Sequence, residues 1–145
     1  MAFEWRRPRQ LAVADQYLAT EILTTLRDAT AEPPLPIRPH AKRLPSGERG
    51  VSLSFLRGAR AFFAEHNMLP RTMVEVCKLT GDTASVCALT RSTGLSLVES
   101  VALAAAAAQR DASRLIGRAT TFFSYSWTGT RLDDMLFAIE RKLDG

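Results

Sequence analysis

Two serines and a tyrosine that could bind a ligand lie together at Ser124, Tyr125 and Ser126, between the aromatic residues Phe123 and Trp127. They fall at the end of a predicted strand, just before a turn and a helix. Ligands of α/β sheets bind beyond the carboxyl ends of strands, and a helix N-terminus attracts anions. The cluster predicts either an anion-binding or phosphate-binding site or a set of plain structural hydrogen bonds.

The elements that would position this cluster form one strand, one tight loop and one helix. Residues 119–127 are rich in Phe, Tyr, Trp and Thr and contain no Gly or Pro, which favours a buried strand. Residues 128–130 turn the chain, and Thr130 with Asp133 matches an N-cap pair. The following helix carries an apolar stripe at helical spacing, made of Leu132, Met135, Leu136, Ile139 and Leu143.

Acidic and basic residues lie at opposite ends of this last helix. Asp133 and Asp134 form the chain's adjacent acidic pair near the N-terminus, and Arg141 and Lys142 lie near the C-terminus. Two carboxylates can bind magnesium or do acid–base work, but at a helix N-terminus they also stabilise the helix dipole. We interpret the pair as stabilising the helix dipole rather than as a magnesium-binding or acid–base site.

Motifs of known enzyme chemistry are missing from the sequence. It contains no phosphate-binding GxxxxGK[ST] loop, no GxSxG elbow and no HExxH. Cys77 and Cys87 match no zinc pattern and are far in sequence from His40 and His66, so we interpret them as buried, reduced thiols. We therefore predict no catalytic residue, no metal and no cofactor.

Charge and hydropathy exclude two further classes of function. The net charge is +4, but the basic residues are scattered and no aromatic residues alternate with them, so we predict no nucleic-acid binding. No apolar run reaches the length of about 20 residues that spans a bilayer, and the first residues do not resemble a signal peptide. We expect no membrane partner and a cytoplasmic location.

The rest of the chain is predicted to be helical, apart from one proline-rich stretch. Five of the seven prolines fall in residues 31–50, which we interpret as a stiff linker; Pro33 and Pro36 leave open a PxxP ligand for an adaptor domain. The predicted organisation is an N-terminal helix in 1–30, the linker in 31–50, a helical region in 51–117 and a strand–helix unit in 118–145.

Periodicity and capping signals place the helices within these segments. The first helix, over 9–30, has an apolar face of Leu11, Ala14, Leu18, Ile22 and Leu26, widened by Val13, Tyr17 and Leu23. Further helices are predicted over 51–67, over Met73–Leu79, ambiguously over 84–90 with Asp82 as a candidate cap, and from Leu97 to about Arg110. Capping boxes precede two of them, at Thr72–Glu75 and Ser96–Glu99, and Gly58 would let a neighbouring helix approach closely.

The motif Phe-Phe-Ser-Tyr-Ser-Trp at 122–127, followed by a helix, resembles the first strand of Toll/interleukin-1 receptor (TIR) domains. The resemblance is closer to a divergent TIR-like group of algae and other protists. In that group a segment similar to Thr72–Val76 and one similar to Leu95–Glu99 precede a strand similar to Ala119–Trp127. The likeness covers roughly residues 70–143, and Tyr125 and Ser126 replace the His and Ala common there.

This resemblance implies a flavodoxin-like fold whose opening βα unit is residues 118–145. TIR domains assemble with one another in signalling, and some cleave NAD with a glutamate on a later helix, whose position Glu140 does not match. We therefore expect a non-enzymatic interaction or signalling module, with a protein partner or self-association at Phe123–Trp127. The open alternatives are a fragment, cut after the first βα unit, of a longer NAD-cleaving protein, and a helical scaffold.

Overall fold

The computed structural model describes residues 9–29, 44–78, 84–119, 126 and 128–144. Over these residues the chain is mainly α-helical, which confirms the predicted fold class. The predicted strand at 119–127 lies outside the described residues except for Ala119 and Ser126. The described helices are α1 (Arg9–Ala29), α2 (Leu53–Glu65), α3 (Met73–Lys78), α4 (Val86–Leu89), α5 (Leu97–Ala107) and α6 (Leu132–Asp144).

Helices α1 and α2 form the most extensive helix pair, and Gly58 sets how closely they approach. A Cβ atom at Gly58 would lie 2.5 Å from the carbonyl oxygen of Gln16 and 2.7 Å from the Cβ of Ala19. The Thr20 hydroxyl donates a hydrogen bond of 3.2 Å to the Gly58 carbonyl across the same contact. The prediction that Gly58 admits a neighbouring helix is therefore confirmed, and the neighbour is α1.

The first half of α1 does not use the apolar face that its sequence predicts. Val13, Ala14 and Tyr17 are exposed, and the Tyr17 side chain is 77% accessible. The predicted face is confirmed in the second half of α1, where Ile22, Leu23 and Leu26 are buried, and Leu18 is half-buried. Asp15 and Ala19 are also buried, and the side chain of Leu11 lies outside the described residues. The prediction was wrong for Val13, Ala14 and Tyr17 because the contact at Gly58 fixes which face of α1 meets α2.

Helix α2 is shorter at both ends than the predicted 51–67. Its N-cap is Ser52, whose hydroxyl accepts a hydrogen bond from the Phe55 N–H, so Val51 lies outside the helix. At the other end Asn67 adopts a φ of 58°, and the N–H groups of Asn67 and Met68 donate to Ala64 and Phe63. This Schellman motif ends the helix.

Residues at the junction of the predicted linker and helical region pair with the last residues of that helical region. Gly50–Val51 (β1) and Ile116–Gly117 (β2) form a two-stranded antiparallel sheet in which Val51 is opposite Ile116. No strand was predicted for either segment. Two residues are too few for a periodic pattern, so this ladder had no signal in the sequence.

Capping residues begin α3 and α5 as predicted, whereas the N-cap of α4 and the end of α5 differ from the prediction. Ser96 and Glu99 form the predicted capping box at the start of α5, whereas the N-cap of α4 is Ser85 rather than Asp82, which lies outside the described residues. Helix α5 ends at Ala107, three residues before the predicted end. Gln109 has a φ of 56°, and the Arg110 N–H donates to the Ala105 carbonyl, which closes a second Schellman motif.

The capping glutamate of α5 also holds the chain that leads into β1. Glu99 is 2% exposed, and its Oε2 accepts a 2.9 Å hydrogen bond from the Leu44 N–H. Its Oε1 accepts from the Ser96 hydroxyl at 2.8 Å and lies 3.7 Å from the Arg49 guanidinium. A buried carboxylate requires such partners, so this group fixes residues 44–49 against α5.

Among the described residues, one apolar core joins side chains of all six helices, α1 to α6. Its largest fully buried side chains include Phe62, Met68, Leu89 and Leu115. Leu132 and Leu136 of α6 belong to the same cluster. The helix of the predicted strand–helix unit thus packs on the helical region, and it presents its remaining face outward.

We predict that Gly58→Ala destabilises the protein by about 1–2 kcal/mol. Alanine gains about 1 kcal/mol of helix propensity. The added methyl group would meet backbone at 2.5 Å, so the overpacking cost lies at the upper end of its usual range, about 2–3 kcal/mol. Urea unfolding followed by circular dichroism measures the difference. Gly47→Ala is the matched control because its Cβ meets nothing within 4 Å; equal stability changes in the two variants would contradict the prediction.

Candidate functional site

Ser126 is the residue of the predicted site at Phe123–Trp127 that the structure describes; Phe123, Ser124, Tyr125 and Trp127 lie outside the described residues. Ser126 is exposed. Its N–H donates a 3.0 Å hydrogen bond to the Thr130 hydroxyl, and its own hydroxyl accepts one of 3.1 Å from the Gly129 N–H. The polar atoms of Ser126 therefore hold the turn before α6.

The N-terminal N–H groups of α6 bind backbone carbonyls of the segment before α3. The Leu132 N–H donates to the Arg71 carbonyl at 2.9 Å, and the Asp133 N–H donates to the Leu69 carbonyl at 3.0 Å. The predicted N-cap bond from Asp133 to Thr130 is wrong, because the Thr130 hydroxyl accepts from Ser126 instead. These donors of the helix terminus are directed into the fold rather than toward a ligand.

A capping box at α3 supports the segment that receives α6. The Glu75 carboxylate accepts from the Thr72 N–H at 3.2 Å and from the Thr72 hydroxyl at 3.1 Å. Bonds from Thr72, backbone N–H first and hydroxyl second, lower the pKa of Glu75 below its ordinary value. The backbone of Thr72 in turn forms an isolated antiparallel β-bridge with Arg131, and the Met73 N–H donates to the Thr130 carbonyl at 2.8 Å.

Helix α6 docks along α2 through an apolar stripe and a row of charges. Leu132, Leu136 and Ile139 are buried, as the spacing predicts, whereas Met135 and Leu143 are half-buried. The charged row lies beside the stripe: Asp133 accepts from the Arg60 guanidinium at 2.8 Å, and Glu140 pairs with Arg57 and lies 3.8 Å from Arg60.

The opposite face of α6 is exposed and carries a large apolar side chain. Phe137 is 55% accessible, and Asp134, Ala138 and Arg141 are exposed on the same side. Within the described part of the chain neither Asp134 nor Arg141 forms an ion pair. We call these four residues the α6 face.

Two other helices also expose apolar side chains. Val13 and Tyr17 are one turn apart on α1 and are 48% and 77% accessible, and Leu103 of α5 is 45% accessible. An Arg110–Glu21 ion pair of 2.9 Å ties the end of α5 to α1. An open groove of about 580 Å³ lies along α5 and is lined by Ala102, Ala105, Ala106, Arg110 and Arg118, among others.

Groups that could perform reactions are few in the described part of the chain. Burial raises the pKa of the half-buried Cys77 thiol, which lowers its nucleophilicity near neutral pH. Cys87 is exposed, so its predicted burial is wrong. Among residues 9–29, 44–78, 84–119, 126 and 128–144 there is no group of three or more His, Cys, Asp or Glu side chains that could hold a metal ion.

None of the described helices is long and apolar enough to cross a membrane. Comparison of the chain with family models, with curated proteins and with solved structures found no match.

Phe137 was not among the predicted site residues, although the residue pattern of α6 contained a signal for it. The buried residues of α6 recur at three- and four-residue spacing, and Phe137 lies five residues after Leu132, on the other side of the helix. A phenylalanine outside the apolar stripe is the kind of exposed residue that marks a binding surface.

We predict that Glu75→Gln makes the protein less stable at neutral pH and that this difference shrinks in acid. The lowered pKa means that ionised Glu75 stabilises the fold above its ordinary pKa of about 4.3, and this stabilisation is lost as the pH falls through the lower, folded-state value. Glutamine keeps the cap acceptor without the charge. Unfolding free energies measured from pH 7 to pH 3 test this; parallel curves for the two proteins would contradict it.

Proposed function

We propose that this chain is a non-enzymatic protein-interaction module of TIR-like descent that acts in signalling. The observation that carries the proposal is the exposure of large apolar side chains on three helices that each contribute to the apolar core: Val13 and Tyr17 on α1, Leu103 on α5 and Phe137 on α6. Aromatic residues contribute a large share of the binding energy at protein interfaces.

The surroundings of these side chains support binding rather than catalysis. The candidate polar atoms near α6 are bonded within the fold: Ser126 to Thr130 and Gly129, and the helix donors to Leu69 and Arg71. Glu140 is engaged by Arg57 on the side of α6 that faces α2. Phe137 points the other way, to solvent, where a partner can reach it.

A crosslinker at Phe137 or Tyr17 is expected to capture a protein, because a side chain in an interface lies within a few ångströms of its partner. A photoreactive phenylalanine is introduced at each position, and the chain is irradiated in the cells that express it. Mass spectrometry of the shifted bands identifies the captured protein, including a second copy of this chain at twice its mass.

The matched control carries the same photoreactive residue at Arg91, an exposed position in the turn after α4. Equal labelling from positions 17, 91 and 137, or none from any of them, would contradict the proposal. Labelling from position 17, position 137 or both, without labelling from position 91, would support it.

We predict that the purified 145-residue chain does not consume NAD. The resemblance assigns NAD cleavage to a glutamate on a later helix, and Glu140 is instead paired with Arg57. Chromatographic quantification of nicotinamide release, against a buffer blank, tests this. Release above the blank that scales with the concentration of the chain would overturn the non-enzymatic assignment.

A further inference from the structure

We propose that the α6 face binds a second copy of itself, with the two α6 helices antiparallel about a two-fold axis. This inference rests on the proposed interaction function and names its partner. Asp134, Phe137, Ala138 and Arg141 occupy positions i, i+3, i+4 and i+7 and form a continuous exposed stripe. The stripe runs from an acid, through two apolar residues, to a base.

The order of charges on this stripe is self-complementary. Asp134 and Arg141 are seven residues apart, which is about 10.5 Å or two turns along the helix. In an antiparallel pair centred between Phe137 and Ala138, each Asp134 is level with Arg141 of the other copy. A two-fold axis requires such reciprocity. If Asp134 of the first copy contacts Arg141 of the second, then Arg141 of the first copy must contact Asp134 of the second.

The apolar residues lie at the centre of the same arrangement. Phe137 is 55% exposed, and the two-fold axis brings the two Phe137 rings together on one side of the seam. Ala138 meets its counterpart on the other side, where its small side chain lets the helix axes approach. The ion pairs then form the polar rim of an interface with an aromatic centre.

Both charges are available for this contact. Asp133 forms an ion pair with Arg60, and Glu140 forms one with Arg57. Asp134 and Arg141, in contrast, form no ion pair within the described residues. One helix face is small, so we expect a weak dimer whose formation depends on concentration between roughly 10 μM and 1 mM. Its exposed ion pairs should make it weaken several-fold from low to high salt.

Charge reversal and sedimentation velocity test the proposal. Asp134→Arg and Arg141→Asp each replace two attractive contacts by two repulsive ones, so each variant alone should dimerise at least about tenfold more weakly than the wild type. An equimolar mixture of the two should form a heterodimer, because one copy then presents two arginines and the other two aspartates. Phe137→Ser should also be monomeric.

The matched control Arg91→Asp makes the same charge change as Arg141→Asp at an exposed position away from α6, and it is expected to dimerise like the wild type. Tyr17→Ser tests instead whether the chain associates through α1, because Tyr17 belongs to the proposed interaction surface. Circular dichroism melts establish that each variant is folded, and the mixture experiment reports on binding even where the single changes lower stability at the helix ends.

A wild-type chain that stays monomeric up to 1 mM would overturn the inference, as would a mixture that forms no heterodimer. A dimer that persists in the α6 variants but is lost in Tyr17→Ser would overturn it while leaving the proposed interaction function intact. Loss in the α6 variants, recovery in the mixture and an unchanged Arg91→Asp control would support it.

Discussion

The close contact between α1 and α2 at Gly58 is the constraint on which the other elements depend. With a side chain at this position the Gln16 carbonyl and Ala19 would have to move, and the whole of α1 with them. The contact selects which residues of α1 are buried and so leaves Tyr17 in solvent. It also places α2 where Arg57 and Arg60 reach α6 and where Phe62 fills the centre of the core.

Polar capping groups join the remaining segments to this helix pair. Glu99 caps α5 and, with the same carboxylate, holds the Leu44 N–H; Glu75 caps α3, beside the carbonyls that receive α6. Both acids satisfy local donors, and Glu99 also orders a segment distant in sequence. The short helices α3 and α4, which would be unstable alone, begin at the capping residues Thr72 and Ser85 and depend on tertiary packing rather than on helix propensity.

The way in which α6 is held on the other helices determines which of its faces remains exposed. Its backbone donors are bound to Leu69 and Arg71, its apolar stripe is buried, and two of its acids are paired with α2. What remains outward is a stripe with one aromatic residue and two charges of opposite sign. The same attachment that removes a ligand-binding helix terminus thus presents a surface suited to a second protein.

Local signals in the sequence determined the helices and several of their ends. Capping boxes at Thr72 and Ser96 and the periodic stripe of α6 were each readable because they depend on neighbours within about four residues. Gly58 indicated that a helix would approach closely, but only the tertiary structure decided that this helix is α1. The tertiary structure decided what depends on distant partners: the exposure of Tyr17, the end of α5 at a left-handed Gln109, the pairing of β1 with β2, and the capping of α6 by carbonyls some sixty residues earlier. A backbone carbonyl is present at every residue, so no pattern of residue types indicates which one will be the acceptor.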